Sequence, residues 1–170
     1  MSVNYQLRKV TIRDAADLHD SCWPDKSSAA VRELIERAEG IARRKRGQGI
    51  IATIDGKPIA YAQLTLWPRV SEISDLVVTA DLRGQGIGTA LICELIVLAR
   101  TYAVSTVEIG VAMSNPRAYA LYRRLGFQTD RIINLDLGSG PEPVMYLMMP
   151  LKPQESLTPR PLGEGRHGGI

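Results

Sequence analysis

Apolar and polar positions along the chain fall into short blocks whose period changes several times. Tyr5 and Leu7 on one face, then Val10 and Ile12 on the other, alternate imperfectly and predict a first strand over 5–12. Asp14 is expected to cap a helix over Ala15–Ser21, which Cys22-Trp23-Pro24 ends. A second helix is predicted over Ser28–Arg46, because Val31, Leu34, Ile35, Ala38, Ile41 and Ala42 share one face and the other is charged. Two β-rich runs, Ile50–Ile54 and Ile59–Trp67, flank Asp55-Gly56-Lys57-Pro58, whose Asp-Gly pair signals a hairpin. In the next strand, Glu72–Thr79, Ser74 and Asp75 separate Ile73 from Leu76-Val77-Val78. No single register then puts every apolar group on one face, and a bulge near Ser74 or Asp75 reconciles them.

The period changes again across Leu76-Val77-Val78-Thr79-Ala80-Asp81-Leu82-Arg83-Gly84-Gln85-Gly86-Ile87-Gly88-Thr89. A β-branched run leads into three glycines, and beyond them Ile87, Leu91, Leu95, Leu98 and Tyr102 recur three or four apart, predicting a helix over 86–102. A strand that turns through glycines into a helix gathers free backbone N–H groups and the positive end of the helix dipole at one point. That point is an anion site. Read more plainly, the glycines only let the helix pack closely on the strand. A strand over Thr106–Ala112 follows, so strand, helix and strand form a crossover between parallel strands. Ser114 or Asn115 caps the next helix, Pro116 suits its first position, Arg123 and Arg124 its negative end, and Gly126 its stop. The last strands are Thr129–Leu137 and Val144–Pro150, joined by Gly138-Ser139-Gly140-Pro141. After Leu151 the apolar pattern stops, and the Pro- and Gly-rich 152–170 is expected to be a disordered tail behind one domain over 1–151.

Composition narrows the functional classes. The chain has 170 residues, 45% of them apolar, enough for one domain with a sizeable core. A formal charge of +3 permits an anionic ligand without requiring nucleic acid. The run Arg43-Arg44-Lys45-Arg46 reads as a solvated helix end, since cations complement the negative terminus and Gly47 and Gly49 follow as stops. Cys22 and Cys93 form no C-x-x-C pair, and His19 and His167 lie far apart, so no metal site and a reducing, cytoplasmic setting are expected. No apolar run approaches the roughly 20 residues of a membrane helix. Among phosphate motifs, a dinucleotide fingerprint fails in both registers, at Thr89 and at Leu91. A Walker A loop fails for want of any Lys between Pro68 and Lys152.

The spacing Arg83-x-x-Gly86-x-Gly88 does resemble the pyrophosphate signature of the GNAT superfamily of acetyl-CoA-dependent N-acetyltransferases. Asn115, Ala118, Leu121-Tyr122 and Leu125-Gly126-Phe127 resemble that family's second signature, at its usual distance and with a strand between. The resemblance spans about Tyr5 to Leu151 and is strongest over Glu72–Phe127. It implies an α/β GNAT fold, a mixed central sheet of about six or seven strands with helices on both faces, in a monomer or homodimer.

The same resemblance assigns roles. Acetyl-CoA would be the co-substrate, with no metal. Backbone N–H groups of Gly84, Gln85, Gly86, Ile87, Gly88 and Thr89 would hold its pyrophosphate, with Arg83 adding charge. If the strand carrying Leu76, Val77 and Val78 splays from that of Val107–Val111, its main chain would pair with the pantetheine arm and polarise the thioester carbonyl. Asn115 would hydrogen-bond the arm. Tyr122, which taken alone reads as an aromatic packed on the sheet, would protonate the departing thiolate. An amine of the lysine kind, with a pKa of about 10, must also lose a proton. Glu72, eleven residues before Arg83, occupies the position of a family general base, with Asp75 or a water chain as alternatives. The implied activity is acetyl transfer to a primary amine of a small molecule or peptide. Alternatives are a protein N-terminal or lysine acetyltransferase, and a non-catalytic acyl-CoA sensor. One departure bears on the first alternative: acetyltransferases of ribosomal-protein N-termini carry a glutamate five residues before the family asparagine, where this chain has Gly110, with Glu108 two residues earlier.

Overall fold

A computed structural model describes residues 2–152; the expected tail lies, from residue 153 on, outside the described residues. The order is β1 (Gln6–Lys9), α1 (Ala15–Cys22), α2 (Ser28–Arg43), β2 (Gly47–Ile54), β3 (Lys57–Leu66), β4 (Val70–Val78), α3 (Ile87–Ala99), β5 (Thr106–Ala112), α4 (Pro116–Arg124), β6 (Gln128–Asp136) and β7 (Pro141–Pro150). The seven strands form one sheet in the order β1-β2-β3-β4-β5-β7-β6. All neighbours are antiparallel except β4 and β5, the pair joined through α3. The expected hairpin is present: Ile54 pairs with Lys57, and Asp55 and Gly56 between them take φ of 50° and 78°.

Alternation along the central strands divides the core between two faces. Ile50, Ala52, Ala60, Ala62 and Leu64 pack with Leu91, Leu95, Tyr122 and Phe127, the α3–α4 side. Ile51 and Tyr61 pack with Leu18, Val31, Ile35 and Ala38, the α1–α2 side. Helices therefore cover both faces, as expected. Among the described residues no helix is long and apolar enough to cross a membrane.

Three sequence expectations change. Asp14 does not cap α1 with its side chain; its carboxylate is buried and takes both prongs of Arg8, at 2.7 and 2.8 Å, and the Thr11 N–H at 2.9 Å. A bidentate charged partner offers more than one peptide N–H, so the acid turns toward β1. α2 is capped by Ser27, whose Oγ accepts the Ala30 N–H at 3.1 Å. Gly47 and Gly49 are not helix stops but the start of β2, opposite Thr65 and Gln63. α2 ends at Arg43, and Arg44 donates from Nε to the Gly40 carbonyl at 3.1 Å, as a cation at a helix end should.

Candidate active site

The site grows from two local departures in β4. Asp75 takes φ of 55°, rare for a residue with a Cβ, and the β3–β4 register shifts there: Tyr61 pairs with Val77, but Gln63 pairs with Ser74. This is the bulge that the apolar pattern required. The extra residue lets Ile73, Leu76 and Val78 all face the α3 side while Val77 faces the α1–α2 side. The second departure is in pairing. β4 pairs with β5 only from Val70↔Thr106 to Ile73↔Ile109. Beyond that, Gly110, Val111 and Ala112 pair with β7, and Val77 and Val78 pair with β3. The strands part, and the main chain on the inner edge of β4 is left without a ladder partner.

A cleft of about 460 Å³ opens at this parting. Leu76 and Val78 form one wall, and Asn115, Ala118, Leu121 and Tyr122 from α4 form the other. Its end is the turn Arg83, Gly84, Gly86, Ile87, Gly88 and Thr89. Gly86 is the N-cap of α3 at φ 84°, and no side chain caps that helix. The first α3 donor with an intrahelical acceptor is Ala90, to Gly86 at 3.0 Å, so the N–H groups of 87–89 are free in the helix ladder. A Cβ on Gly84 or Gly86 would meet nothing within 4 Å, and one on Gly88 would meet only Val78 at an ordinary 3.7 Å. The protein itself does not need the space above Gly88; a ligand approaching the N–H groups would.

Charge follows the same plan. Among the described residues three arginines line the cleft, Arg83, Arg117 and Arg124, and no carboxylate does. The Arg83 guanidinium is held by its Nε–H, which donates to the Val78 carbonyl at 3.1 Å. Arg117 and Arg124 were missed as site residues in the sequence, where Arg124 reads as a complement to the helix dipole. Their spacing of seven on a short helix, which places them on one face, was the available signal. Tyr122 is 5% exposed, and burial pushes its hydroxyl up to about 12. It therefore stays protonated at any working pH and can offer a proton or a hydrogen bond. Asn115 is the N-cap of α4, its Oδ1 accepting the Ala118 N–H at 3.2 Å, which leaves its amide N–H groups as the available donors. Two expected cofactor residues are not among the cleft lining: Gln85 is exposed, and Val77 packs on the opposite face.

Glu72 lies on the other side of β4, in a smaller pocket of about 240 Å³ between α2, β3 and β4. Ser74 and Asp75 line it as well, so consecutive β4 residues serve the two cavities. The Trp67 indole N–H donates to Glu72 Oε2 at 3.1 Å. At the pocket floor the buried Tyr61 hydroxyl donates to Gln63 Oε1 at 2.8 Å, and the Gln63 amide donates to the Leu64 carbonyl at 2.7 Å. Burial, and then the charge of Asp75, push the Tyr61 hydroxyl far above its ordinary value. Glu108 is committed elsewhere: it receives both prongs of Arg131, at 3.0 and 3.2 Å, and Arg131 lies 4.7 Å above the Tyr146 ring. A side chain at position 110 would start 3.3 Å from that same ring. Among the described residues no group of three or more His, Cys, Asp or Glu could hold a metal ion.

A sheet parted beside a glycine-built helix start, with cations around it and a buried phenol in its lining, has the shape and charge to take an anionic, extended ligand along β4. The particular family follows from the sequence. A model described as the acetyltransferase (GNAT) family matches residues 12–127, and the chain belongs to that family. It is also 31% identical, over 100 residues, to an uncharacterised N-acetyltransferase of Methanocaldococcus jannaschii. That match covers 55% of this chain, and the chain spans 44% of that relative's length. Among solved structures, a phosphinothricin acetyltransferase of Sinorhizobium meliloti in complex with acetyl-CoA superposes with a TM-score of 0.72 at 20% identity. That superposition covers 92% of this chain and 97% of the other. The ribosomal-protein-S18-alanine N-acetyltransferase of Escherichia coli superposes with a TM-score of 0.68 at 22% identity, over 91% and 99% of the two chains. Both likenesses establish the mixed seven-stranded GNAT fold.

Proposed function

We propose that the protein transfers an acetyl group from acetyl-CoA to the primary amine of a small molecule or short peptide. The observation that carries this reading is the pairing of two cavities of opposite chemistry on β4: a cleft with three arginines and no carboxylate, and a pocket with two carboxylates. Acetyl-CoA, when bound, supplies the activated thioester. The free N–H groups of 87–89, with those of Gly84, Gln85 and Gly86, would hold its phosphates, and Arg83, Arg117 and Arg124 would offset their charge. The main chain of Leu76, Val77 and Val78 would pair with the ligand arm as an added strand, which is the use an unpaired sheet edge offers. Asn115 would donate to the arm. Tyr122 would place a protonated hydroxyl beside the sulfur, and Glu72 would take the proton of the incoming ammonium, with Asp75 or water as the competing acceptor.

The protein N-terminus reading has less support. Position 110 is filled by the Tyr146 ring, and Glu108 is neutralised by Arg131, so neither supplies a free carboxylate there. The test is release of free coenzyme A from acetyl-CoA across amines, amino acids, polyamines and peptides, repeated with Tyr122→Phe. The expected outcome is turnover with at least one small amine and a fall in kcat of about 10²-fold in the variant, with acetyl-CoA affinity nearly unchanged. An unchanged kcat would return Tyr122 to core packing.

A further inference from the structure

We propose that the pocket between α2 and β4 selects an amino carboxylate: a small amine that also bears a carboxylate, its ammonium toward Glu72 and Asp75 and its carboxylate toward Arg37. This rests on the acetyltransferase reading and adds the class of acceptor.

Size is the first ground. At about 240 Å³ the pocket falls below the roughly 300–1,000 Å³ of sites for drug-sized ligands, which suits a molecule of amino-acid dimensions. Charge is the second. Glu72, Ser74 and Asp75 line the strand side, and among the described residues Arg37 from α2 is the one cation in the lining. The two carboxylates call for an ammonium, and a second ammonium would be repelled by Arg37.

Availability is the third. The competing cation nearby, Arg131, is not in the lining and is already held by Glu108 and Asp130. Among the described residues Arg37 has only an exposed pair four residues back, Glu33 at 3.4 Å, with both side chains largely in water. Such solvent-exposed pairs are weak, and a ligand carboxylate can replace one. The same lining includes apolar groups beside the polar Gln63 and Thr65: Leu34 and Ile41 from α2, and Trp67, half exposed at 50% and anchored by its bond to Glu72. A short aliphatic spacer would lie against them.

The experiment compares acceptors of matched length with the full chain and acetyl-CoA: pentylamine, norvaline, δ-aminovalerate and cadaverine. Norvaline and δ-aminovalerate differ in the distance between amine and carboxylate, so they also report the spacing that the pocket accepts. One of them is expected to exceed pentylamine and cadaverine in kcat/KM by about tenfold, the scale of one charge-assisted contact. In Arg37→Gln that advantage should vanish through KM, with kcat retained and the acetyl-CoA KM unmoved. Equal or better use of pentylamine or cadaverine, or an advantage that survives Arg37→Gln, would overturn the proposal. If no amine releases coenzyme A, the acetyltransferase reading fails instead. Calorimetric titration of norvaline and δ-aminovalerate then judges the pocket alone: binding lost in Arg37→Gln supports it, and no binding, or binding indifferent to Arg37, overturns it.

Discussion

Glu72 differs from an ordinary glutamate at a strand start in one measurable respect: the Trp67 indole N–H holds its Oε2 at 3.1 Å while the residue lines a pocket. Among the described residues that is the bond its carboxylate receives, so the other oxygen would be open to the proton if Glu72 is the base proposed above. Glu72→Gln is expected to lower kcat/KM at neutral pH and to lose less as pH rises toward about 10, where a lysine-type amine sheds its own proton. A loss that is the same at every pH would make Glu72 a substrate-binding residue, and an identical profile in Asp75→Asn would transfer the role to Asp75. The sequence offered Glu72 as a candidate by its spacing to Arg83, and Glu108 by its spacing to Asn115. Their partners were not legible there. Trp67 read as the end of a strand and Glu108 as a possible substitute for a glutamate at position 110, whereas pairing with Arg131, a residue 23 positions away, removes Glu108 from the site. Which carboxylate is free depends on cross-strand neighbours, and periodicity along one strand does not report them.

The turn into α3 is the element on which the proposed cofactor binding depends, and its glycines have unequal reasons. Gly84 and Gly86 take φ of 77° and 84°, which any Cβ would strain, so substitution there perturbs the backbone and the ligand together. Gly88 has no such requirement and has only Val78 as a 3.7 Å neighbour. Gly88→Ala therefore separates fold from function. Thermal unfolding should show unchanged or slightly raised stability, since alanine is favoured over glycine within a helix by up to about 1 kcal/mol. Calorimetry should show acetyl-CoA affinity reduced by about tenfold or more, the cost of pushing phosphate from the N–H groups by one methyl. Normal affinity would mean that the phosphates lie elsewhere. The glycine spacing announced this element, as did the Asn115-Pro116 start and Gly126 stop of α4. A bulge near Ser74 or Asp75 was legible too, because it reconciles Ile73 with Leu76-Val77-Val78, and the tertiary structure puts it at Asp75. The role of Asp14 was not, because a cap and a salt bridge draw on the same acid and only the position of Arg8 decides between them.

Across the whole molecule, β4 separates a cationic cleft from an acidic pocket, so the proposed cofactor and ammonium acceptor would be drawn to opposite sides of one strand. Stability has its own charge dependence. Burial raises the Asp14 carboxyl, but the Arg8 fork, the Thr11 N–H and the Arg8 charge outweigh it, and the net shift is downward. A lowered folded pKa means that this contribution is complete above the ordinary carboxylate value, about 3.9, and is lost as pH falls through the folded value. Asp14→Asn should cost about 2 kcal/mol at neutral pH, the scale of hydrogen bonds to a charged group, with the gap to the natural chain narrowing below about pH 4 in denaturant titrations. A gap constant with pH would show that Asp14 acts through packing alone. The sequence by itself determined the element order, the hairpin at Asp55-Gly56, the glycine-built helix start and the family, because these rest on local period, turn chemistry and motif spacing. Tertiary structure alone decided that β4 parts from β5 after Ile73 and Ile109, that Arg117 and Arg124 join Arg83 in one cleft, and that Arg37 shares a pocket with Glu72. Those facts depend on strand register and on which helix face meets the sheet, and such long-range relations fix geometry only once the whole core is packed.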